Sequence, residues 1–140
     1  MSEGYDGQRI VVTSWAGVAL FLLTAVPAAA GVAGFDVAAL VVDVGLFVAG
    51  IVVFLWGFAV ALARNAQGDD IVVSSLFLIQ GPVPRPVRGH LFAALAVSVV
   101  IAGATGTTDA FGVLVPMFPL GLIGFWGARH GAFPPRRDRR

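Results

Sequence analysis

Apolar residues fill four long stretches of the chain, and shorter polar segments separate these stretches. A helix needs roughly 20 apolar residues to cross a bilayer, and within lipid only a helix or a closed barrel satisfies its own backbone groups. The pattern therefore predicts an all-α integral membrane protein with four transmembrane helices in a single domain. The predicted helices cover about residues 10–30, 37–63, 90–104 and 110–128.

Two of the separating segments are tight turns. Residues 31–36 and 105–109 contain glycine and end in Asp36 and Asp109, residues of the type that caps helix N-termini. The four helices are thus predicted to form two hairpins, which a long central loop, residues 64–89, connects.

The basic residues are confined to one side of this arrangement. Neither tight turn contains an arginine, whereas the chain start, the loop 64–89 and a basic tail, residues 131–140, all do. Because positively charged segments stay inside, the distribution predicts that both termini and the central loop are cytoplasmic. Trp15, Trp56 and Trp126 lie near helix ends on that same side, which is typical of the membrane interface.

The first apolar stretch has a second interpretation. The segment from Val26 to Ala30 has the small-residue pattern of a signal-peptide cleavage site. The residues before the stretch include Glu3 and Asp6 against only Arg9, which is not the basic start of a secretory signal. An intact first helix is therefore the preferred prediction.

Composition is consistent with a chain surrounded by lipid. Of the 140 residues, 58% are hydrophobic and 12% charged, and the mean hydropathy is +0.90, which is more apolar than a soluble domain. Cysteine is absent, which excludes disulfides, thiolate metal ligands and thiol redox chemistry. All nine basic residues are arginine, and with abundant Ala, Val and Gly this usage indicates a GC-rich genome and a bacterial cytoplasmic membrane.

Asp43 is the only ionisable residue inside a predicted helix. A carboxylate at membrane depth is costly and indicates function, here as an ion or proton site. The second helix is longer than a bilayer requires, however, so Asp43 can instead lie hydrated at the outer interface, with Asp36 on the same face. This interfacial interpretation is preferred, and it predicts that Asp43→Asn leaves expression and assembly unchanged.

His90 and His130 fall at the cytoplasmic ends of helices, where a histidine can anchor at headgroups, respond to pH or bind a metal. Neither has a nearby carboxylate or thiol to complete a metal site, so both are interpreted as interfacial side chains. No catalytic, cofactor-binding or metal-binding group of residues is predicted.

Small residues four positions apart predict close packing of helices. The clearest stripe, on the third helix, consists of Ala94, Ser98, Ala102 and Gly106. Similar pairs are Gly45 and Ala49, Gly57 and Ala61, and Gly124 and Ala128. The pattern does not distinguish a neighbour in the same chain from a second copy or a larger membrane complex. In the fourth helix, Pro116 and Pro119 predict a kink.

The central loop contains nine mostly apolar residues, 71–79, which are too few to span a membrane. Asp70 in front and Gly81-Pro82 behind favour a short interfacial helix, whereas the β-branched start leaves a strand open. The prolines that follow predict an extended approach to the third helix.

The same loop carries a resemblance to known proteins. A Leu-Phe-Leu-like run with a glycine, residues 76–81, precedes a proline-rich stretch of the form Pro-x-x-Val-Arg, within residues 82–88. In these features and in topology the chain resembles small uncharacterised four-helix membrane proteins of GC-rich actinobacteria. The resemblance implies a bacterial membrane protein and no particular activity.

Six arginines are predicted to contact anionic lipid headgroups. They are Arg85, Arg88, Arg136, Arg137, Arg139 and Arg140. The last four follow Pro134-Pro135 in a segment too short and too charged to fold, so the tail is expected to lie on the membrane surface.

Three classes of function fit these features. The preferred one is an accessory or scaffolding subunit that packs through its small-residue faces against itself or a larger membrane partner. The alternative is a small transporter or channel that uses Asp43, and a membrane enzyme is third. Membrane lipids are the expected partners in each case, with no cofactor and no nucleic acid.

Overall fold

The computed structural model describes residues 7–137 and is built from helices. The helices are α1 Gln8–Ala29, α2 Phe35–Ala66, α3 Val73–Leu76, α4 Arg85–Thr105 and α5 Met117–His130, and a 3-10 segment, Ala110–Leu114, precedes α5. Four stretches are long and apolar enough to cross a membrane: α1, α2, α4, and the 3-10 segment together with α5. The predicted all-α architecture with four such stretches is therefore confirmed.

Glycine, rather than aspartate, precedes the long helix of the first hairpin. Gly34 adopts φ +85°, a left-handed conformation that favours glycine, and Asp36 is the second residue of α2. The Asp36 side chain makes no hydrogen bond within residues 7–137, and Asp109 makes no capping bond to the 3-10 segment. The predicted capping role of these two aspartates is wrong, and both carboxyl groups are left for other contacts.

α4 begins earlier than the sequence predicts. The helix starts at Arg85 and includes Pro86 in its first turn, where the missing N–H has no helical acceptor to bind. Pro84, just before the helix, has an extended backbone (φ −54°, ψ 131°), whereas residues 79–82 form bends. The loop prolines therefore help to start the third membrane-spanning helix instead of merely leading to it.

The fourth membrane-spanning stretch is broken at its first proline. Pro116 immediately precedes α5, and the residues before it form the 3-10 segment. Pro119 lies in the first turn of α5, where no i−4 carbonyl needs its N–H. The prediction of a break is correct for Pro116, whereas Pro119 introduces no kink.

The apolar part of the central loop folds under the helices. α3 is a single turn that begins after Val72, so the predicted cap by Asp70 is wrong. Leu78 has a left-handed backbone (φ +61°) and is fully buried. It packs in a cluster with Val11, Val87, Leu91, Ile123 and Trp126. This cluster closes the bundle at the end where α1 and α4 begin and where α2 and α5 end, which we call the basic end.

Trp126 belongs to this cluster and is only 2% exposed. Trp126 therefore lies near a helix end, as predicted, but it packs inside the protein. Trp56 is 61% exposed on α2, and Trp15 donates from its Nε1 to Nδ1 of His90 at 3.3 Å.

α2 and α5 cross closely because glycines face each other. A Cβ added to Gly50 would lie 2.8 Å from the Met117 backbone, and one added to Gly121 would lie 2.6 Å from the Gly50 carbonyl oxygen. Gly57 similarly faces the backbone of Phe125. Gly45, which the sequence pattern included, faces open space, so it packs against no helix of this chain within residues 7–137, and its packing against a second chain stays a prediction.

The stripe of small residues on α4 packs within the chain. Ala94, Ser98 and Ala102 are buried, and Gly106 is half-buried just after the helix ends. Ala94 and Ala102 pack in a central cluster with residues of α1, including Phe21. These small side chains therefore bring α4 against helices of the same chain.

The tail is folded against α2 up to Arg137. Arg64 bonds Asp69 through Nε at 2.8 Å, and its Nη1 donates to the carbonyl oxygens of Ala128 and Gly131. Its guanidinium carbon also lies 4.7 Å from the centre of the Phe133 ring. Arg136 donates from its backbone to Gly68 and from its side chain to Asn65. The expectation of an unfolded segment after Pro135 is wrong for Arg136, and residues 138–140 lie outside the described residues.

Candidate functional site

Asp43 is the ninth residue of α2 and is 0% exposed. Neither of its carboxyl oxygens has a hydrogen-bond donor within residues 7–137. The hydrated side chain expected from the sequence is therefore wrong, because the protein encloses it, whereas its level in the membrane stays a prediction. A fully buried carboxyl group without a partner needs a physical explanation.

The explanation is a second carboxyl group. The turn after α4 carries Asp109, whose backbone N–H donates to the Thr105 carbonyl oxygen at 2.8 Å. This places Asp109, which is 8% exposed, with its carboxyl group within hydrogen-bonding reach of the Asp43 carboxyl group. We call Asp43 and Asp109 the carboxyl pair.

Glycine at position 112 makes room for this arrangement. A Cβ there would lie 3.0 Å from Oδ2 of Asp109 and 3.3 Å from the Phe21 ring. The Asp109 carboxyl group is thus held between a glycine and an aromatic ring, in apolar surroundings. Such surroundings strongly disfavour two adjacent negative charges.

The described residues provide no cation to compensate the pair. The one ion pair within residues 7–137 joins Arg64 and Asp69 at the basic end. The buried hydroxyl groups of Thr24 and Thr105 donate to carbonyl oxygens of their own helices. When both carboxyl groups are ionised, three of their buried oxygens, Oδ1 and Oδ2 of Asp43 and Oδ2 of Asp109, have no donor. A single proton held between the two groups supplies a donor and removes one charge.

A pocket of about 310 Å³ reaches the pair from the turns that join α1 to α2 and α4 to the 3-10 segment. We call this end of the bundle the acidic end. The pocket is lined by Ala28, Asp36, Ala39, Leu40, Thr108, Asp109, Ala110 and Phe111. Asp36 is exposed, and Asp109 is shared between the pocket and the pair. The pocket therefore gives water a route to one member of the pair.

The sequence identified only half of this site. Asp43 was a candidate, but Asp109 was assigned to capping because it lies in a turn outside the predicted helices. The topology could have found it. Asp43 lies near the start of the second helix, just after the first tight turn. In two antiparallel hairpins both tight turns lie at the same end of the bundle, so the second turn, with Asp109, is close to the depth of Asp43.

The other predicted site residues lie elsewhere. Arg85 and Arg137 are exposed, Arg88 donates to the Gly81 carbonyl oxygen at 3.2 Å, and Arg136 is held by Asn65. Arg139 and Arg140 lie outside the described residues.

His90 and His130 are also apart from the pair. The Trp15 indole bonds His90, and the His130 ring lies 5.6 Å from that of Trp126. Within residues 7–137, no three His, Cys, Asp or Glu side chains come together as a metal-binding group. The carboxyl pair is therefore the strongest candidate site in the described part of the chain.

Comparisons with known proteins give no function for this chain, so the proposed function is argued from the geometry of the site. The resemblance of residues 76–88 to actinobacterial membrane proteins stays a prediction. No protein-family model, no curated protein and no solved structure matches this chain.

Proposed function

We propose that this protein is a small proton-binding membrane transporter, in which the carboxyl pair takes up one proton through the pocket at the acidic end. The observation that carries the proposal is the full burial of Asp43 beside Asp109 without a compensating cation among residues 7–137. A membrane protein keeps an ionisable group in this position at a cost, and proton relays are a common reason.

Proton uptake has a simple structural effect at this site. A proton arriving from pocket water binds one carboxylate oxygen, and the resulting O–H donates to the other carboxylate. Release of the proton leaves two negative charges in apolar surroundings, which repel each other. α2 is a long, continuous helix, whereas Asp109 lies in a turn before a 3-10 segment. We therefore assign the movement that follows proton release to the turn and the 3-10 segment.

A proton fits the site better than a metal ion does. Hard divalent cations take six or more oxygen ligands, or keep several bound waters. Here much of the pocket wall is apolar, from Ala39, Leu40 and Phe111, and offers a metal ion few side-chain oxygens beside the carboxyl groups. Two carboxyl groups alone are enough to share one proton.

The accessory-subunit function has less structural support. It relied on small-residue faces that could receive another helix, yet Ala94, Ser98 and Ala102 are buried inside this chain. Gly57 is likewise occupied by α5, whereas Gly45 faces open space. The proton-binding function is therefore the stronger of the two proposals.

The test is proton flux into lipid vesicles that contain the purified protein and an internal pH-sensitive dye. Under an imposed pH gradient, with the membrane potential clamped, the wild type should acidify or alkalinise the vesicle interior faster than empty vesicles. Asp43→Asn and Asp109→Asn should each abolish this flux. The matched control is Asp70→Asn, which removes an exposed carboxylate near the basic end and should leave the flux unchanged.

Equal flux in the wild type and in both site variants would refute the proposal. Replacing the pH gradient with a sodium or potassium gradient tests the nature of the ion. A flux that follows either metal ion and ignores pH would also refute proton binding.

A further inference from the structure

A second pocket lies at the basic end, far along the bundle from the carboxyl pair. It has a volume of about 520 Å³ and opens between the first residues of α1 and the last turn of α5. Gly7 lets these two elements approach, because an added Cβ there would lie 2.2 Å from Nε1 of Trp126. The volume is in the range of sites that bind small molecules.

The charged groups of this pocket come from both elements. Arg9 on α1 and Arg129 on α5 line it together with His130, and both arginines are exposed. Neither arginine forms an ion pair with a carboxylate of residues 7–137. The Arg129 guanidinium carbon lies 6.0 Å from the centre of the Phe125 ring, which forms part of the pocket wall. Two guanidinium groups on one cavity supply the positive charge and the hydrogen-bond donors that a phosphate group binds.

A separate apolar groove lies along α1, on the side of α4. It has a volume of about 670 Å³ and is lined by Val11, Val12, Trp15, Ala16, Ala19 and, from α4, His90. Val12 and Ala16 follow Arg9 by three and seven positions, so they lie on the same face of the helix as Arg9. The groove therefore lies next to Arg9, farther along α1 toward the middle of the bundle, and its lining suits a hydrocarbon chain.

We propose that this site binds one anionic phospholipid, with its phosphate between Arg9 and Arg129 and an acyl chain in the groove beside Trp15. A basic pocket between membrane-spanning helices, above an apolar surface, is the arrangement that recognises anionic lipid headgroups. The arginines of this site differ from those that the sequence predicts to contact lipid headgroups, which lie in the central loop and in the tail. It is also independent of the proposed proton site.

Quenching of Trp15 fluorescence by a lipid with brominated acyl chains tests this proposal. The protein carries Trp56→Phe, which removes the exposed tryptophan, and is titrated with brominated phosphatidylglycerol in phosphatidylcholine micelles. Quenching should saturate as for a single site. Arg9→Gln and Arg129→Gln should each weaken binding about fivefold, and the double variant about 30-fold. Arg85→Gln, which removes an exposed arginine outside the pocket, should titrate like the parent protein.

Three results would overturn the proposal. One is an unchanged titration in the double variant. Another is an equal loss in Arg85→Gln, which would indicate general surface attraction. The third is displacement of the lipid by soluble glycerol phosphate, which would identify a free phosphate compound as the ligand. The single variants keep the test valid if the double variant does not fold.

Discussion

At the scale of single residues, the environment of Asp109 decides the chemistry of Asp43. An aspartate in a glycine-containing turn ordinarily bonds local backbone groups. In this protein the Asp109 side chain turns back to the bundle, because Gly112 leaves space for it beside Phe21. Burial alone would make the Asp43 carboxylate destabilising, whereas the second carboxyl group allows the two residues to share a proton.

The substitution Asp43→Asn should preserve the fold and remove the proton site. The asparagine amide can donate to the Asp109 carboxylate, so the variant imitates the protonated pair and lacks one buried charge. We expect the unfolding temperature in detergent at neutral pH to equal or exceed that of the wild type. Infrared difference spectra between low and high pH should lose the protonated-carboxyl band that the wild type shows.

A destabilised Asp43→Asn protein, or an unchanged infrared band, would contradict this assignment. Asp70→Asn is the control for both measurements because its side chain is exposed.

Residue-scale features were only partly predictable from the sequence. Asp43 was visible because a charged residue interrupts an apolar run. Burial of Asp43 and the position of Asp109 depend on which helix faces meet, which composition and spacing do not encode. Trp126 shows the same limit, since its position near a helix end favours the interface but its neighbours bury it.

At the scale of elements, glycines determine how closely α2 and α5 pack. In lipid there is little hydrophobic drive between helices, so contact depends on backbones coming close enough for van der Waals packing. Gly121 lies against the Gly50 backbone at the crossing, and Gly50 lies against the backbone of Met117 and Phe118. Bending the fourth span at Pro116 allows α5 to begin at this level.

Replacing Gly50 by alanine should weaken the crossing. The new Cβ would lie 2.8 Å from the Met117 backbone, which cannot move aside as a flexible side chain would. Overpacking of this kind typically costs about 1–3 kcal/mol. Gly45→Ala is the matched control, since it adds the same methyl group to the same helix in open space. Thermal unfolding in detergent should show a lower midpoint only for Gly50→Ala, and equal midpoints would disprove the tight crossing.

The elements themselves were easier to predict than their contacts. Four apolar stretches define four spans by length, and the structure has them. The helix starts were harder, because Pro86 lies in the first turn of α4, where a proline starts a helix rather than breaking it. The spacing of small residues found the α4 stripe, but on α2 it chose Gly45 and missed Gly50, since the pattern carries no information about the facing helix.

At the scale of the whole molecule, charge is separated along the bundle axis. The carboxyl pair and Asp36 lie at the acidic end, whereas Arg9, Arg64 and the other described arginines lie at the basic end. This separation follows directly from where the arginines fall in the sequence. The sequence did not predict that Arg136 of the tail is hydrogen-bonded to Asn65 at the end of α2.

The charge separation predicts how the protein inserts. By the positive-inside rule the basic end faces the cytoplasm, so reporter fusions at Thr107 should be active outside and fusions near Gln80 or after Arg140 active inside. A reporter that is active outside when fused near Gln80 would reverse the orientation, and with it the side from which protons enter the proposed site.

The unequal lengths of the two helices that cross at Gly50 have a consequence for the surrounding lipid. α2 has 32 residues and is therefore about 48 Å long, whereas the fourth span, the 3-10 segment together with α5, has 21 residues. A bilayer core of about 30 Å is shorter than α2, so α2 has to tilt or thicken the lipid around it, while the fourth span has about the length that a bilayer requires. The two helices that cross at Gly50 thus impose different hydrophobic mismatch on neighbouring lipids, and the tilt of α2 is expected to depend on bilayer thickness.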